Sequence, residues 1–234
     1  GPIERTNNLL PQIKAKHFFD YKQATNGLKL MAWGFFKKMC IADPLAVSVD
    51  YVYTYLYNYS GFSLLLAVLA FTIQIYCDFS GYSDIAIGSA KLFGINLTTN
   101  FKSPYLSSSI KEFWSRWHIS LSTWLKDYIY IPLGGSRCSP SRHYLNLLIT
   151  FFVSGLWHGA NWTFVIWGII HGLGQIIENI LAKPLKIIRS NSFGRIASVF
   201  ATFIFCSFAP MKLFTSQEIH ELDPYTIEHE PIRS

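Results

Sequence analysis

The fold of this chain is decided by residues 143–177, which read HYLNLLITFFVSGLWHGANWTFVIWGIIHGLGQII. The window contains no Asp, Glu, Lys or Arg over thirty-five residues. A bilayer core takes about 20 apolar residues per crossing helix, so the window has the length of nearly two crossings. A polar motif at 154–162 interrupts its middle. We therefore expect a hydrophobic helical hairpin that is broken near its centre.

Two more windows without charged side chains lie at 60–77 and 196–211, and a weaker one at 45–59 contains Asp50. A buried core helix explains one such window, but three in a chain of 234 residues favour a membrane protein. Only 15% of the residues are charged, whereas soluble domains average about 25%. We predict an all-α membrane domain with several crossing helices.

The composition also excludes several other classes of protein. Aromatic residues make up 17% of the chain, which supplies too much apolar surface for intrinsic disorder. The four cysteines are far apart and form no C-x-x-C pair, so neither a disulfide scaffold nor a zinc site is expected. The sequence contains no P-loop, no dinucleotide fingerprint and no G-x-S-x-G elbow.

The basic residues indicate an orientation in the membrane. Seven Lys or Arg lie in residues 1–43, seven in 78–142 and four in 183–195. If 45–59 pairs with 60–77 and the long window folds back on itself, all three regions face one side. The positive-inside rule makes that side cytoplasmic.

Two segments, 28–41 and 110–126, interleave lysines with large apolar residues at helical spacing. We interpret them as amphipathic helices that lie in the membrane interface or at the rim of a bundle. Interleaved Lys and Trp also occur in nucleic-acid-binding surfaces, but the adjacent hydrophobic windows argue against a nucleic-acid partner. Glycine and proline predict a turn at 132–140, and we expect a second loop at 78–84.

His158 interrupts the longest apolar window, in the motif Ser-Gly-Leu-Trp-His-Gly-Ala-Asn-Trp. Polar side chains at membrane depth are costly and usually functional. An imidazole titrates near neutrality, so it is able to take a proton from a hydroxyl. A structural histidine that is hydrogen-bonded across helices explains the same residue equally well on chemistry alone.

The other histidines carry weaker signals. His118 follows Arg116 on the predicted amphipathic helix, where an interfacial role is the simpler interpretation. His171 reads as a packing or tautomer-fixing partner. No pair of histidines has the spacing of a metal site, so we expect no bound metal. The remaining four lie in polar loops or in the tail: His17, His143, His220 and His229.

Five motifs occur in a fixed order along the chain: GPIER at 1–5, DFSGYSDIAIG at 78–88, KEFWSRWHISLS at 111–122, YIYIPLGG at 128–135 and GLWHGA at 155–160. In this combination the chain resembles the membrane-bound O-acyltransferase (MBOAT) family over about residues 1 to 205. The most similar branch is that of the membrane subunits of bacterial alginate and related polysaccharide O-acetyltransferases.

The resemblance implies a polytopic bundle of transmembrane, interfacial and re-entrant helices around a central tunnel. In the family the histidine of the W-H-G motif is catalytic, which here is His158. The histidine of the R-W-H-x-S motif, here His118, is the second functional position. The polar residues of the second motif have no role that we assign beyond capping a helix end: Asp78, Ser80, Tyr82 and Asp84.

The resemblance further implies O-acetyl transfer toward hydroxyls of an exported polysaccharide such as alginate, with His158 as general base. The donor substrate is acetyl-CoA or another acyl thioester, and no tightly bound cofactor is expected. The implied partners are the lipid bilayer, an extracytoplasmic SGNH-type acetyltransferase and the machinery for polysaccharide synthesis and export. The implied location is the bacterial inner membrane, crossed several times.

The same sequence leaves alternatives open. One is transfer of D-alanyl or another acyl group to teichoic acid, lipid or protein. Another is a non-catalytic transport component, in which the break at His158 forms a substrate or proton site. The family continues with further spans at both ends. We therefore expect a fragment, with residues 1–210 as part of the membrane domain and 211–234 as an atypical acidic tail, and its activity alone is open.

Overall fold

A computed structural model of the chain describes residues 1–159 and 161–208. Every regular element in these two ranges is helical, which confirms the all-α prediction. The predicted acidic tail lies outside the described residues. The α-helices of the described ranges are α1 (Thr6–Lys14), α2 (Tyr21–Phe35), α3 (Asp43–Thr54), α4 (Gly61–Leu92), α5 (Ile110–Arg116), α6 (Ile119–Leu125), α7 (Pro140–His158), α8 (Trp162–Ile180), α9 (Ala182–Ile188) and α10 (Ser192–Phe208).

Four shorter segments complete the helical structure. A π-helical segment, Phe36–Ala42, continues α2 into α3, and a second, Lys126–Tyr130, continues α6. Two short 3-10 turns precede α4 and α5, at Leu56–Asn58 and Pro104–Leu106. The predicted amphipathic segment 28–41 is therefore helical throughout, although it changes pitch at Phe36.

Among the described helices, α4 alone is long and apolar enough to cross a membrane, with 32 residues and a mean hydropathy of 1.8 in its best window. α8 and α9 are long and apolar enough to cross a membrane only when they are taken together, and the chain bends by 78° between them. Such a pair has the geometry of a broken span or a re-entrant segment. The described residues thus contain one clear span, or two if the bent pair counts, and the polytopic arrangement stays a prediction.

Glycines bring α2 and α4 into direct backbone contact. A Cβ at Gly27 would lie 2.7 Å from the carbonyl oxygen of Gly88, and one at Gly34 would lie 2.7 Å from that of Gly81. The two helices are therefore antiparallel, and they touch at points two helical turns apart. Small residues at a helix interface permit this approach, which is common in membrane proteins.

The predicted hairpin in the long uncharged window is confirmed as α7 and α8. The break falls where the sequence placed it, because α7 ends at His158 and Gly159 follows with φ +153°. A side chain at Gly155 or Gly168 would collide with backbone of the facing helix, at Phe164 and Phe151 respectively. The two helices therefore pack antiparallel at close range.

Two local predictions are wrong. Residues 78–84 form no loop but lie inside α4, since lysines of the adjacent π-helical segment pair with their polar side chains. The segment 110–126 is not one helix: it breaks between α5 and α6 at His118, whose backbone is left-handed with φ +43°. The predicted turn at 132–140 is confirmed, with positive φ at Gly134 and Gly135.

Candidate active site

A cavity of about 270 Å³ lies between α4, α5, α8 and α10 and brings His118, His158 and His171 together. Its walls are mainly aromatic. The aromatic side chains that line it are Phe71, Phe79, Tyr105, Phe113, Trp114, Trp117, Phe164 and Trp167. Two small polar side chains from neighbouring helices, Thr72 and Ser207, also reach it. The cavity is thus an apolar chamber that contains three imidazoles.

His118 is held at the break between α5 and α6. Its side chain is only 4% exposed, and its ring stands edge-on to Phe79 at a centroid distance of 4.7 Å. His118 Nδ1 lies 3.3 Å from Oδ1 of Asn100. An amide oxygen only accepts hydrogen bonds, so Nδ1 carries the proton and Nε2 is left as an acceptor.

Asn100 is the buried residue that shapes this break. Its Oδ1 accepts hydrogen bonds from the backbone N–H and the hydroxyl of Ser120, at 3.1 and 2.7 Å. Its carbonyl oxygen accepts the N–H of Ile119, and its Nδ2 donates to Ser83 Oγ on α4 at 3.3 Å. The side chain therefore ties α4 to the start of α6 and fixes His118 between them.

The protonation of His118 follows from its surroundings. Burial lowers the pKa of its imidazole from the usual 6.5 to about 4, and the nearby imidazole of His158 adds to the shift. At neutral pH the ring is uncharged. It therefore offers a hydrogen-bond acceptor to the cavity rather than a positive charge.

His158 lies at the rim of the cavity, as the last residue of α7. Its ring is edge-on to Trp167 at 5.1 Å and to Trp157 at 5.2 Å, and it stacks with Phe164 at 6.0 Å. The side chain is exposed, in contrast to the buried His118. An exposed imidazole among aromatic rings is free to meet a reactant that enters the chamber.

His171 is buried and belongs to the same site, a position that the sequence interpretation underrated. The indole N–H of Trp114 donates to His171 Nδ1 at 3.3 Å. Trp167 lies between the two histidines, since its ring is 4.9 Å from His171 and 5.1 Å from His158. The sequence analysis also missed Asn100 and Trp114. Nothing in their spacing shows that Asn100 is buried and hydrogen-bonded or that Trp114 lines the cavity.

The polar residues of the second motif have a role other than the helix capping that was predicted. Lys37 is 7% exposed, and its Nζ contacts Asp84 Oδ2 at 2.7 Å and Ser80 Oγ at 2.9 Å. The adjacent Lys38 pairs with Asp78 at 2.7 Å. The motif therefore joins α4 to the π-helical segment, whereas Tyr82 of the same motif is exposed.

The first five residues pack against the same framework. The N–H of Ile3 donates to Ser120 Oγ at 2.9 Å, and Glu4 accepts the N–H of Thr98. Arg5 pairs with Asp127 at 2.7 Å and covers the ring of Tyr128. These contacts hold the loop before Asn100, the start of α6 and the π-helical segment after it, so this motif supports the His118 side of the cavity.

The comparison with known proteins now places the chain. Residues 1–215 match the sequence profile of the membrane-bound O-acyltransferase family, MBOAT. The chain belongs to this family. The five motifs and the histidine cavity thus lie within the matched range, which covers more than nine-tenths of the chain.

Several relatives of the MBOAT chain bear functional names. A probable alginate O-acetylase of Pseudomonas putida is 48% identical over 192 residues, which are 82% of this chain and 39% of that protein. A peptidoglycan O-acetyltransferase of Helicobacter pylori is 43% identical over 80% of this chain and 36% of its own length. A teichoic acid D-alanyltransferase of Bacillus subtilis is 29% identical over 67% and 42%. The chain spans about two fifths of the length of these relatives.

Proposed function

We propose that the chain carries the histidine site of an O-acyltransferase that moves an acetyl group from a thioester toward hydroxyls of an exported polysaccharide such as alginate. The observation that carries this proposal is the joint placement of His118 and His158 in one aromatic cavity. The names of the P. putida and H. pylori relatives support the acetyl group and the polysaccharide class. Acetyl-CoA or another acyl thioester is the proposed donor.

His158 is the proposed general base. It takes the proton of an acceptor hydroxyl while the hydroxyl oxygen attacks the thioester carbonyl. An oxygen–acyl bond forms, the carbon–sulfur bond breaks, and the proton passes from the imidazolium to the leaving thiolate. A positioned base contributes about 10²- to 10⁴-fold to such a step, and the apolar walls keep competing water away.

His118 is proposed to orient the acceptor hydroxyl. Its Nδ1–H is committed to Asn100, so its Nε2 is the atom that accepts a hydrogen bond from a bound group. A neutral acceptor beside the cavity aligns a hydroxyl without competing for its proton, because the pKa of His118 is low. Orientation of this kind lowers the entropic cost of the reaction.

The setting proposed for this chemistry is a multi-pass helical bundle in the bacterial inner membrane. We assign residues 1–210 to part of that domain. The proposed partners are an extracytoplasmic SGNH-type acetyltransferase and the apparatus for polysaccharide synthesis and export. They are proposed because acetyl groups that leave a membrane-embedded site have to be delivered to a polymer outside the cytoplasm.

The test is acetyl transfer by the full-length protein in membranes, with the change His158→Ala. We expect a loss of about 10²-fold or more in transfer rate, because the base is removed while the cavity walls stay. The matched control is His17→Ala, which alters an exposed histidine that is hydrogen-bonded to the backbone carbonyl of Gln12 and does not line the cavity. Transfer by His158→Ala at the rate of the His17→Ala control would contradict the assignment.

A second candidate function is D-alanyl transfer, which the B. subtilis relative favours. The proposed base chemistry is the same, and the two functions differ in the donor. Supplying membranes with acetyl and D-alanyl thioesters in parallel distinguishes them. Turnover of the acetyl donor alone supports the leading proposal.

A further inference from the structure

The imidazole of His171 has the opposite tautomer to that of His118. The indole N–H of Trp114 donates to His171 Nδ1 at 3.3 Å. An indole nitrogen only donates hydrogen bonds, so Nδ1 of His171 carries no proton and the ring proton is on Nε2. In His118 the proton is on Nδ1, which faces Asn100, and Nε2 is bare. One of these two rings therefore offers a hydrogen-bond donor, and the other an acceptor.

The Nε2–H of His171 is available to a molecule in the histidine cavity. His171 lines this cavity. Within the part of the chain that the structure describes, no hydrogen bond joins His171 Nε2 to another residue, and the atom is not enclosed, in contrast to the unpaired hydroxyl oxygen of Ser207. Buried N–H groups normally have an acceptor. The acceptor of this N–H therefore has to come from a molecule that enters the cavity.

Two hydroxyl groups of the same cavity differ from this N–H, because their hydrogens are already donated to backbone carbonyls. Thr72 and Tyr105 both line the cavity. The hydroxyl of Thr72 donates to Val68 O at 2.9 Å, and that of Tyr105 donates to Thr72 O at 2.8 Å. Neither hydroxyl therefore competes with His171 for an oxygen atom in the cavity.

Aromatic neighbours hold the ring of His171 in place. Phe151 stacks on it at a centroid distance of 6.4 Å, and Phe205 stands edge-on at 5.3 Å. The ring of Trp114, which also supplies the hydrogen bond to Nδ1, stands edge-on at 5.2 Å. The direction of Nε2–H is thus fixed before a ligand binds, which is the property of a preorganised donor.

His171 lies close enough to His158 for one reacting group to contact both rings. The ring of Trp167 is 4.9 Å from that of His171 and 5.1 Å from that of His158, so the two imidazole centroids are no more than about 10 Å apart. A hydroxyl that attacks a carbonyl fills a span of that order. Two hydrogen bonds of about 2.8 Å, an approach of about 3 Å and a C=O bond of about 1.2 Å follow one another.

We propose that His171 is a catalytic residue whose Nε2–H binds the carbonyl oxygen of the acyl thioester and stabilises the negative charge that this oxygen gains when the hydroxyl attacks. The assignment rests on the proposed function. As the new carbon–oxygen bond forms, the π electrons of the carbonyl move onto its oxygen. They return when the carbon–sulfur bond breaks and the thiolate takes the proton held by His158.

His171 keeps its own proton throughout this sequence. A neutral imidazole is able to polarise a carbonyl by hydrogen bonding alone, without bringing a positive charge into an apolar cavity. The two tautomers then divide the work: His118 Nε2 accepts from the hydroxyl, and His171 Nε2–H donates to the carbonyl.

A ketone that cannot transfer an acyl group tests this hydrogen bond directly. The probe is the acetonyl thioether of pantetheine, in which a methylene separates the sulfur from the carbonyl carbon. The carbonyl carries carbon-13 and is followed by infrared difference spectroscopy on the solubilised full-length protein. A hydrogen bond to the oxygen weakens the C=O bond, so its stretch moves to a lower wavenumber than in hydrocarbon.

We expect the lowered stretch in the unmodified protein and its loss in His171→Phe, which keeps an aromatic ring but has no N–H. His171→Gln should retain part of the shift, because its amide provides an acceptor for the indole and an N–H for the ligand. The matched control is Thr72→Val. It removes a hydroxyl of the same cavity whose hydrogen is already donated, so the stretch should not change.

The unmodified protein alone is able to overturn the proposal. It does so if the ketone does not bind, or if the bound ketone shows the stretch that it has in hydrocarbon. A lowered stretch that persists in His171→Phe also overturns it. If His171→Phe does not fold, His171→Leu, which likewise has no N–H, takes its place.

Acetyl transfer from the corresponding thioester separates this proposal from the proposed function. We expect His171→Phe to lower kcat by about 10²- to 10³-fold, as the loss of one oxyanion donor does, with a smaller change in KM. His158→Ala should lose transfer but keep the lowered ketone stretch. Protein that shows the stretch assigned to His171 but transfers no acetyl group refutes the proposed function and leaves the carbonyl site in place. Transfer without the lowered stretch refutes the carbonyl site alone.

Discussion

Asn100 shows how much a single buried amide is able to organise. One oxygen serves His118 and Ser120, and the amide nitrogen reaches across to α4. The left-handed backbone of His118 persists because these bonds over-determine it, and strained positions of this kind cluster at functional sites. The orientation of His118 is thus set by a residue eighteen positions earlier in the chain.

At the residue scale we predict a pH dependence of stability that belongs to His118. Its pKa is about 4 in the folded chain and near 6.5 when unfolded, so the unfolded chain binds the proton more readily. The contribution of neutral His118 to the free energy of unfolding is complete above pH 6.5 and is lost as the pH falls toward 4. The total loss is about 3 kcal/mol.

The measurement is the free energy of unfolding of the solubilised protein between pH 4 and 8, for the unmodified protein and for His118→Gln. We expect a shallower decline in the variant, because glutamine does not titrate. If the free energy of unfolding changed equally with pH in both proteins, His118 would be already charged or not buried in the folded state.

At the scale of elements, two adjacent lysines in the π-helical segment lie in opposite environments. Lys37 is buried with Asp84 and Ser80, while Lys38 is 42% exposed between Asp43 and Asp78. Breaking a buried pair leaves an uncompensated charge and costs about 3–5 kcal/mol, whereas exposed pairs contribute little.

We therefore expect Lys37→Met to destabilise the chain strongly and Lys38→Met only slightly. The double change Lys37→Met, Asp84→Leu should recover most of the loss, because neither charge is then left buried alone. Thermal unfolding in detergent measures all three. If Lys38→Met lowered the unfolding temperature as much as Lys37→Met does, Lys37 would not be the buried member of the two lysines.

The glycine contact between α2 and α4 makes a separate prediction. A Cβ at Gly88 would lie 2.6 Å from Gly27 O and 2.6 Å from Met31 Cγ, whereas one at Gly61 meets nothing within 4 Å. Gly88→Ala should cost about 1–3 kcal/mol by overpacking, and Gly61→Ala should be neutral or stabilising. Equal unfolding temperatures for the two variants would refute the close contact.

The sequence predicts an element when its cause is local, and fails to predict it when the cause is a contact with a residue far away in the chain. The hairpin α7–α8 and its break at His158 follow from uncharged length and a polar interruption, which are local features. The continuity of α4 through 78–84 does not, because the lysine that satisfies Ser80 and Asp84 lies 43 and 47 residues before them. The break at His118 likewise depends on Asn100, which no helical periodicity within 110–126 reveals.

On the scale of the whole molecule, the hairpin brings basic regions together. The antiparallel packing of α7 and α8 places the turn before Pro140 and the segment after Ile180 at the same end. α9 bends away there by 78°, with Lys183 and Lys186 beside the 73% exposed Ile187. This pattern is typical of a helix that lies in a membrane surface.

We predict that Ser141→Cys and Lys186→Cys, each in a chain without other cysteines, are labelled from the same side of the membrane. The basic residues around them make that side cytoplasmic. A membrane-impermeant maleimide should therefore label both in inside-out vesicles and neither in right-side-out ones. Labelling of the two positions from opposite sides would contradict the hairpin topology.

The glycine pairs of α2 and α4 also bear on how this protein is able to vary. A bulky side chain in a core is often tolerated when its neighbour becomes smaller, but Gly27, Gly34, Gly81 and Gly88 face backbone carbonyls. A backbone carbonyl is the same whatever the side chain, so no second substitution makes space for the added Cβ. In a saturation library these four positions should remain glycine. The aromatic residues around the histidines should instead tolerate paired substitutions, which change the shape of the cavity.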